Sequence, residues 1–169
     1  MKKVIILSAL LSLISNANIV LSNEFEKHVY YLRDSVLVED DQKVAKIGEV
    51  LKGFLNAENF KEIEAYMEPK SFEDFKMIPA RGEMTDDEFF ERRKPVEEVT
   101  VLLLIDEGGR YRTIVRTKVG LRHSYESFGF DKETLLVRSG TLNANEDPIY
   151  KAISFLNYDK SLKFEISRH

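Results

Sequence analysis

At Val96 the pattern of the chain changes from a helical period to a period of two, and that change points to an α+β fold. Upstream, Val44, Ile47, Leu51, Phe54 and Leu55 fall on one stripe, with Lys43, Lys46, Glu49 and Lys52 opposite. That is the pattern of an amphipathic helix packed on a core, and the acidic run Glu39-Asp40-Asp41 caps it. After a break at Asn56-Ala57, a shorter helix carries Phe60, Ile63 and Met67 and stops at Pro69. Ser71 to Lys76 fits a single further turn. Thr85 and Glu88 form a capping box for a helix over Asp86 to Arg93 that packs through Phe89 and part of Phe90, with Arg92, Arg93 and Lys94 at its negative end. Earlier in the chain, Asn23 and Glu26 resemble another capping box. Phe25, Val29, Leu32 and Val36 recur behind it, which predicts a first helix over Glu24 to Val36.

Downstream, the runs Val96 to Ile105 and Arg110 to Val119 flank Asp106-Glu107-Gly108-Gly109, and the glycines supply the positive φ of a hairpin turn. Arg122 to Phe130 and Thr134 to Arg138 continue as strands, reversed at Asp131-Lys132-Glu133. Asp147-Pro148 reads as a cap and first helical position, with Ile149, Ile153 and Leu156 behind it. Leu162, Phe164 and Ile166 alternate as a last strand. The expected fold is therefore α+β, with N-terminal helices (about 24–94) packed on a C-terminal antiparallel sheet (about 96–168). Phe54, Leu55, Phe60 and Leu104 should share its core.

The first seventeen residues have the form of a secretory signal peptide. Lys2 and Lys3 supply the positive start, Val4 to Ile14 the apolar stretch, and Ser15-Asn16-Ala17 the small residues before a cut. The rival reading is an uncleaved anchor, since no charge occurs from Val4 to Asn23. Seven of those twenty residues are Ser or Asn, however, where a membrane span should stay apolar. With no Cys, the product is not a lipoprotein and carries no disulfide. The expected mature chain is one domain over residues 18–169, free in the periplasm or outside the cell, with no stable membrane insertion. Of 169 residues it keeps 152, enough to bury a core without staples. Losing Lys2 and Lys3 takes the net charge from −4 to −6, which disfavours nucleic acid as a partner.

The charge is unevenly spread. Alternation places Tyr111, Thr113, Val115, Thr117 and Val119 on one face of the second hairpin strand, and Arg110, Arg112, Ile114, Arg116 and Lys118 on the other. A two- or four-residue turn puts Glu97, Val99, Val101, Leu103 and Ile105 beside the basic face; the four-residue turn sets Glu97 opposite Lys118 and Val99 opposite Arg116. Guanidinium groups bind carboxylates bidentately, so this face suits a protein partner or an anionic small molecule. The plainer reading is a solvated face whose Arg heads pair with Glu97, Glu98 or Glu126. A third is a face turned inward under the helices, on which Arg112 and Arg116 are buried charges that need a ligand or an acidic partner. The candidate binding residues are Tyr111, Arg112, Ile114, Arg116, Lys118, His123 and Tyr125.

Catalytic and metal motifs are weak. His28, His123 and His169 are not spaced as zinc ligands, and no metal or other cofactor is expected. Asn143, Asn145 and Asp147 start like a calcium loop, but Pro148 and Ser154 occupy the positions that need Gly and Glu. No Gly-x-Ser-x-Gly occurs, and adjacent His123 and Ser124 point to opposite faces of a strand.

The segment Val44 to Pro69, an amphipathic helix, a small polar break and a short helix ending near Pro, resembles the opening of NTF2-like (SnoaL-like) domains. That resemblance implies a pocket between helices and a concave sheet, used in the family for ligands, catalysis or dimerisation, and it transfers no catalytic residue. A cystatin-like sheet wrapped on a helix is the competing architecture. Three functions are consistent with these features. The first is an exported non-enzymatic protein that engages another protein through its sheet, as an inhibitor or immunity-type protein. The second is a small-molecule binder with an NTF2-like pocket. The third is an enzyme in that pocket, with His123 or Tyr125 as acid or base. A homodimer is compatible with each.

Overall fold

The computed structural model describes residues 36–138, the strand backbones Ile19–Ser22, Val29–Leu32 and Glu165–Arg168, and the helical positions Ile149, Ile153 and Ser154. The predicted leader, the Asn143-Asn145-Asp147 run, His28, His169, Leu156, Leu162 and Phe164 lie outside the described residues. The chain opens with β1 (Ile19–Ser22), β2 (Val29–Leu32) and β3 (Val36–Leu37). The helix predicted over Glu24 to Val36 is contradicted at its described residues, Val29 to Leu32 and Val36, which are strand. Val29, Leu32 and Val36 fit a helical stripe, but Val29-Tyr30-Tyr31-Leu32 is a β-branched and aromatic run that favours strand pairing, and pairing with β1 prevails.

Helix α1, Asp41–Asn56, follows with Asp40 as its cap, whose Oδ1 accepts from the Lys43 amide at 3.0 Å. Its predicted stripe is its buried face: Ile47, Val50, Leu51 and Phe54 are in the core, and Val44 and Leu55 pack at its margin. Gly53 has a steric reason. A Cβ there would stand 2.3 Å from the Tyr66 ring, which crosses the helix at this point. Helix α2, Phe60–Ile63, ends before Met67, which instead bridges to Val137 in the sheet. Contrary to the prediction, Pro69 does not stop that helix but opens α3, Pro69–Lys76, at the position where its missing N–H costs nothing. Next come α4, Ile78–Arg81, and α5, Asp86–Glu91, the latter with the predicted Thr85–Glu88 capping box. α5 stops two residues short of Arg93, whose side chain is engaged with α1.

The sheet half is β4 (Glu98–Asp106), β5 (Tyr111–Val119), β6 (Arg122–Phe130) and β7 (Val137–Arg138), with β3 on the outer edge of β4. All neighbours in the order β3-β4-β5-β6-β7 are antiparallel. A separate three-stranded sheet has the order β2-β1-β8, where β8 is Glu165–Arg168. The fold is α+β, helices first and antiparallel sheet after.

The α1 face packs on Leu104, Tyr111, Val115, Phe130 and Val137, and Phe60 joins the same cluster, so the four predicted core residues do share one core. On the opposite sheet face, Leu103, Ile105 and Ile114 meet Ile149 and Ile153, with Leu37 and Tyr125 against them. The sheet is thus covered on one face by the helical half and in part of the other by the segment containing Ile149 and Ile153.

One irregularity changes the reading of the hairpin. Glu107 and Arg110 close a two-residue turn at Gly108-Gly109, with Gly108 at φ +80°. From there Ile105 pairs with Arg112 and Leu103 with Ile114, as parity requires. A bulge at Leu102 then shifts the register, so Val101 faces Val115, Thr100 faces Arg116 and Glu98 faces Lys118. The pairs expected from a four-residue turn, Glu97–Lys118 and Val99–Arg116, do not form because the turn has two residues, and the bulge then moves the register by one residue and turns Val99 and Val101 to the α1 side.

At the same end of the sheet, Lys132 Nζ lies 2.6 and 2.8 Å from the Asp106 carboxylate. This bond first, then the Gly108 amide, holds the Asp106 carboxyl below its ordinary value of 3.8. A depressed folded value means that the stabilisation is complete above that value and fades as pH falls below it. Urea midpoints should therefore drop as pH falls below about 4, and Asp106→Asn should flatten part of that drop. An acid limb unchanged in Asp106→Asn would disprove the contribution.

Candidate functional site

β5 distributes its residues as its alternation dictates. Tyr111, Thr113, Val115 and Thr117 turn toward α1, and Tyr111 is buried there with Lys43 and Lys132 ammonium groups 5.1 and 5.3 Å from its ring centroid. Tyr111 is therefore no part of the basic face. The Lys43 ammonium is held above its ordinary value, chiefly by its hydrogen bond with Tyr111.

The other predicted residues do share a face, yet the structure gives each a different role. Arg112 is only 3% exposed. Its Nε donates to Ser127 Oγ at 3.0 Å, and its Nη1 lies 3.3 Å from Glu107 Oε1. Glu107 also takes Arg110 Nε at 2.7 Å, so two guanidiniums share one carboxylate. At this end the charge is buried with an acidic partner, but on the face opposite α1 and not under the helical half. Ile114 is fully buried in the second cluster.

Farther along, Lys118 Nζ lies 2.9 Å from Glu98 Oε1 and 3.6 Å from Glu97 Oε2. The hydrogen bond to Glu98 raises the ammonium above its ordinary value and lowers the Glu98 carboxyl. Glu97 also accepts from the Gly120 amide at 2.9 Å, which fixes the β5–β6 turn. The expected pairing of an Arg head with Glu126 does not occur, because Glu126 stands opposite Val115 and accepts from Thr117 Oγ1 at 3.1 Å.

Arg116 lies between these two paired cations, half-buried, with Thr100 opposite on β4 and Tyr125 opposite on β6. Among the described residues its guanidinium makes no ion pair and no hydrogen bond. His123 stands opposite Lys118 on the same face. The basic strand is thus a fixed Arg112 end, a fixed Lys118 end, and one open cation between them beside an aromatic ring.

A second concave feature lies elsewhere. A cleft of about 420 Å³ between the end of α1 and α5 has Leu55, Ala57, Phe90 and Pro95 in its lining, with Glu58, Asp87 and Glu91 around them. Arg93 forms one wall. Its Nη2 donates to the Phe54 and Leu55 carbonyls at 2.7 and 3.2 Å, and its guanidinium stacks within 5.6 Å of the Phe54 and Phe90 rings. Burial pushes its pKa down. Arg93 thus caps the carbonyl end of a helix whose last turn has no basic residue of its own. Asn56 binds both backbone groups of Val96, at 2.6 and 3.0 Å. None of the predicted binding residues lines this cleft.

Glu107, Ser127, Thr100 and the exact role of Glu98 escaped the sequence reading. Alternation alone finds Ser127, since Ile114, Arg116 and Lys118 pair with Ser127, Tyr125 and His123. The bulge that brings in Thr100 and Glu98 leaves no such mark. Among the described residues no group of three His, Cys, Asp or Glu is placed to hold a metal, and no helix is long and apolar enough to cross a membrane. Comparison with protein families, with curated proteins and with solved structures finds no match for this chain.

Proposed function

We propose that this chain is an exported, non-enzymatic binding protein that takes a carboxylate of a partner protein on the outer face of its sheet, at Arg116. One observation carries the reading. Of the cations that β5 places on that face, Arg110 and Arg112 share Glu107 and Lys118 pairs with Glu98 and Glu97, whereas Arg116 is held on the sheet beside Tyr125 without an ion pair among the described residues. A guanidinium on a rigid strand loses little freedom on binding and presents two parallel donors to a carboxylate. Its aliphatic stem and the Tyr125 ring supply apolar area around the charge. Export rests on the Lys2-Lys3 start, the apolar stretch and the Ser15-Asn16-Ala17 cleavage signal.

The test is calorimetry against the partner recovered from the native compartment with tagged mature protein. Arg116→Ala should weaken binding by about 2 kcal/mol or more, with the wild-type affinity falling as salt rises. Lys118→Ala should change it little. Equal affinities for wild type and Arg116→Ala would remove the face from the function. A small-molecule reading is favoured by the 420 Å³ cleft, which has the volume of ligand sites but lies between α1 and α5 rather than between helices and sheet.

A further inference from the structure

Strand β1 begins at Ile19, two residues after the predicted cut behind Ala17, and it is the central strand of its sheet. Ile19 stands opposite Leu32 of β2 on one side and Arg168 of β8 on the other, and Ser22 is flanked likewise by Val29 and Glu165. A strand paired along both edges has no backbone donors or acceptors left to offer. A peptidase that binds its substrate as an added extended strand needs such an edge on both sides of the bond it cuts. Residue 19, the second after that bond, cannot serve the enzyme and both neighbours at once.

We propose that closure of β1 between β2 and β8 sets a deadline for leader removal: the Ala17–Asn18 bond is open to a signal peptidase only until β1 is paired on both sides. This rests on the export reading above. The reaction is a hydrolysis, in which water adds across the bond to leave the Ala17 carboxylate on the leader and a free amine on Asn18. Chain order sets the time available. β2 starts seven residues after β1 ends, so the first pairing is local, whereas β8 occupies Glu165–Arg168 and reaches β1 only when the C-terminal residues arrive. A chain delivered N-terminus first is therefore cut while β1 still has an open edge, and a chain that folds before it meets the enzyme keeps its leader.

The experiment uses the purified full-length chain, folded in detergent micelles and incubated with purified signal peptidase. Wild type is compared with Leu21→Pro in β1 and Ile166→Pro in β8, which are register partners and leave Ser15-Asn16-Ala17 intact. Proline removes a ladder donor and breaks a paired strand. Cutting after Ala17 should be at least about tenfold slower in folded wild type than in either variant, because protection follows the rarity of local opening. Equal cutting of all three chains would overturn the deadline and leave the export reading standing. No cutting of any of them would overturn both.

Discussion

Arg112→Ala should destabilise the fold by about 3 kcal/mol, the low end of what is lost when one partner of a buried ion pair is removed. The low end applies because Glu107 keeps Arg110 and some solvent after the change. Ser127 loses a donor, and the space of the buried side chain is left beside the sheet. Arg112→Met combined with Glu107→Gln should cost clearly less than Arg112→Ala, since an apolar stem of similar length fills the space and no charge is stranded. Urea denaturation of the three chains measures both. A cost below about 0.5 kcal/mol for Arg112→Ala would place this residue on a solvated surface.

Phe130→Ala should cost about 3 to 5 kcal/mol. Phe130 ends β6 fully buried, opposite Tyr111 on β5 and Val137 on β7, in the cluster that α1 covers. Truncating it removes the filling between the last three strands and α1, and the fixed strand spacing prevents the site from collapsing. Equilibrium urea unfolding at an unchanged slope is the measurement. A shift in midpoint worth less than about 1 kcal/mol would show that the two sides of this core are not packed as described.

The helix–sheet order was legible because period and caps agree: the α1 stripe, the Asp40 cap and the Thr85–Glu88 box all stand where local chemistry puts them. β6 has the predicted bounds, Arg122 to Phe130, because its turn residues lie immediately outside it. What failed had a tertiary cause. Val29 to Leu32 satisfies a helical spacing and a strand composition at once, and only pairing with β1 decides between them. Met67 continues a helical stripe in sequence but is taken up by Val137, seventy residues away. The bulge at Leu102 adds one residue to β4 with no glycine or proline to announce it, and it reverses which residues accompany Arg116 and Lys118. Alternation correctly collected Arg112, Arg116 and Lys118 on one face. It could not reveal that Glu107 reaches back from the turn to pair with the first, because that contact depends on where the turn closes.

The account turns on the division of that face into fixed and open cations. Side-chain Nε–Hε NMR signals of Arg112 and Arg116, assigned with Arg116→Lys, can be followed while a hexaglutamate peptide is added to the protein. The Arg116 signal should move and saturate at low salt and return at high salt, while the Arg112 signal stays fixed with Glu107 and Ser127. An Arg116 signal that does not move, or an Arg112 signal that moves equally, would contradict the account.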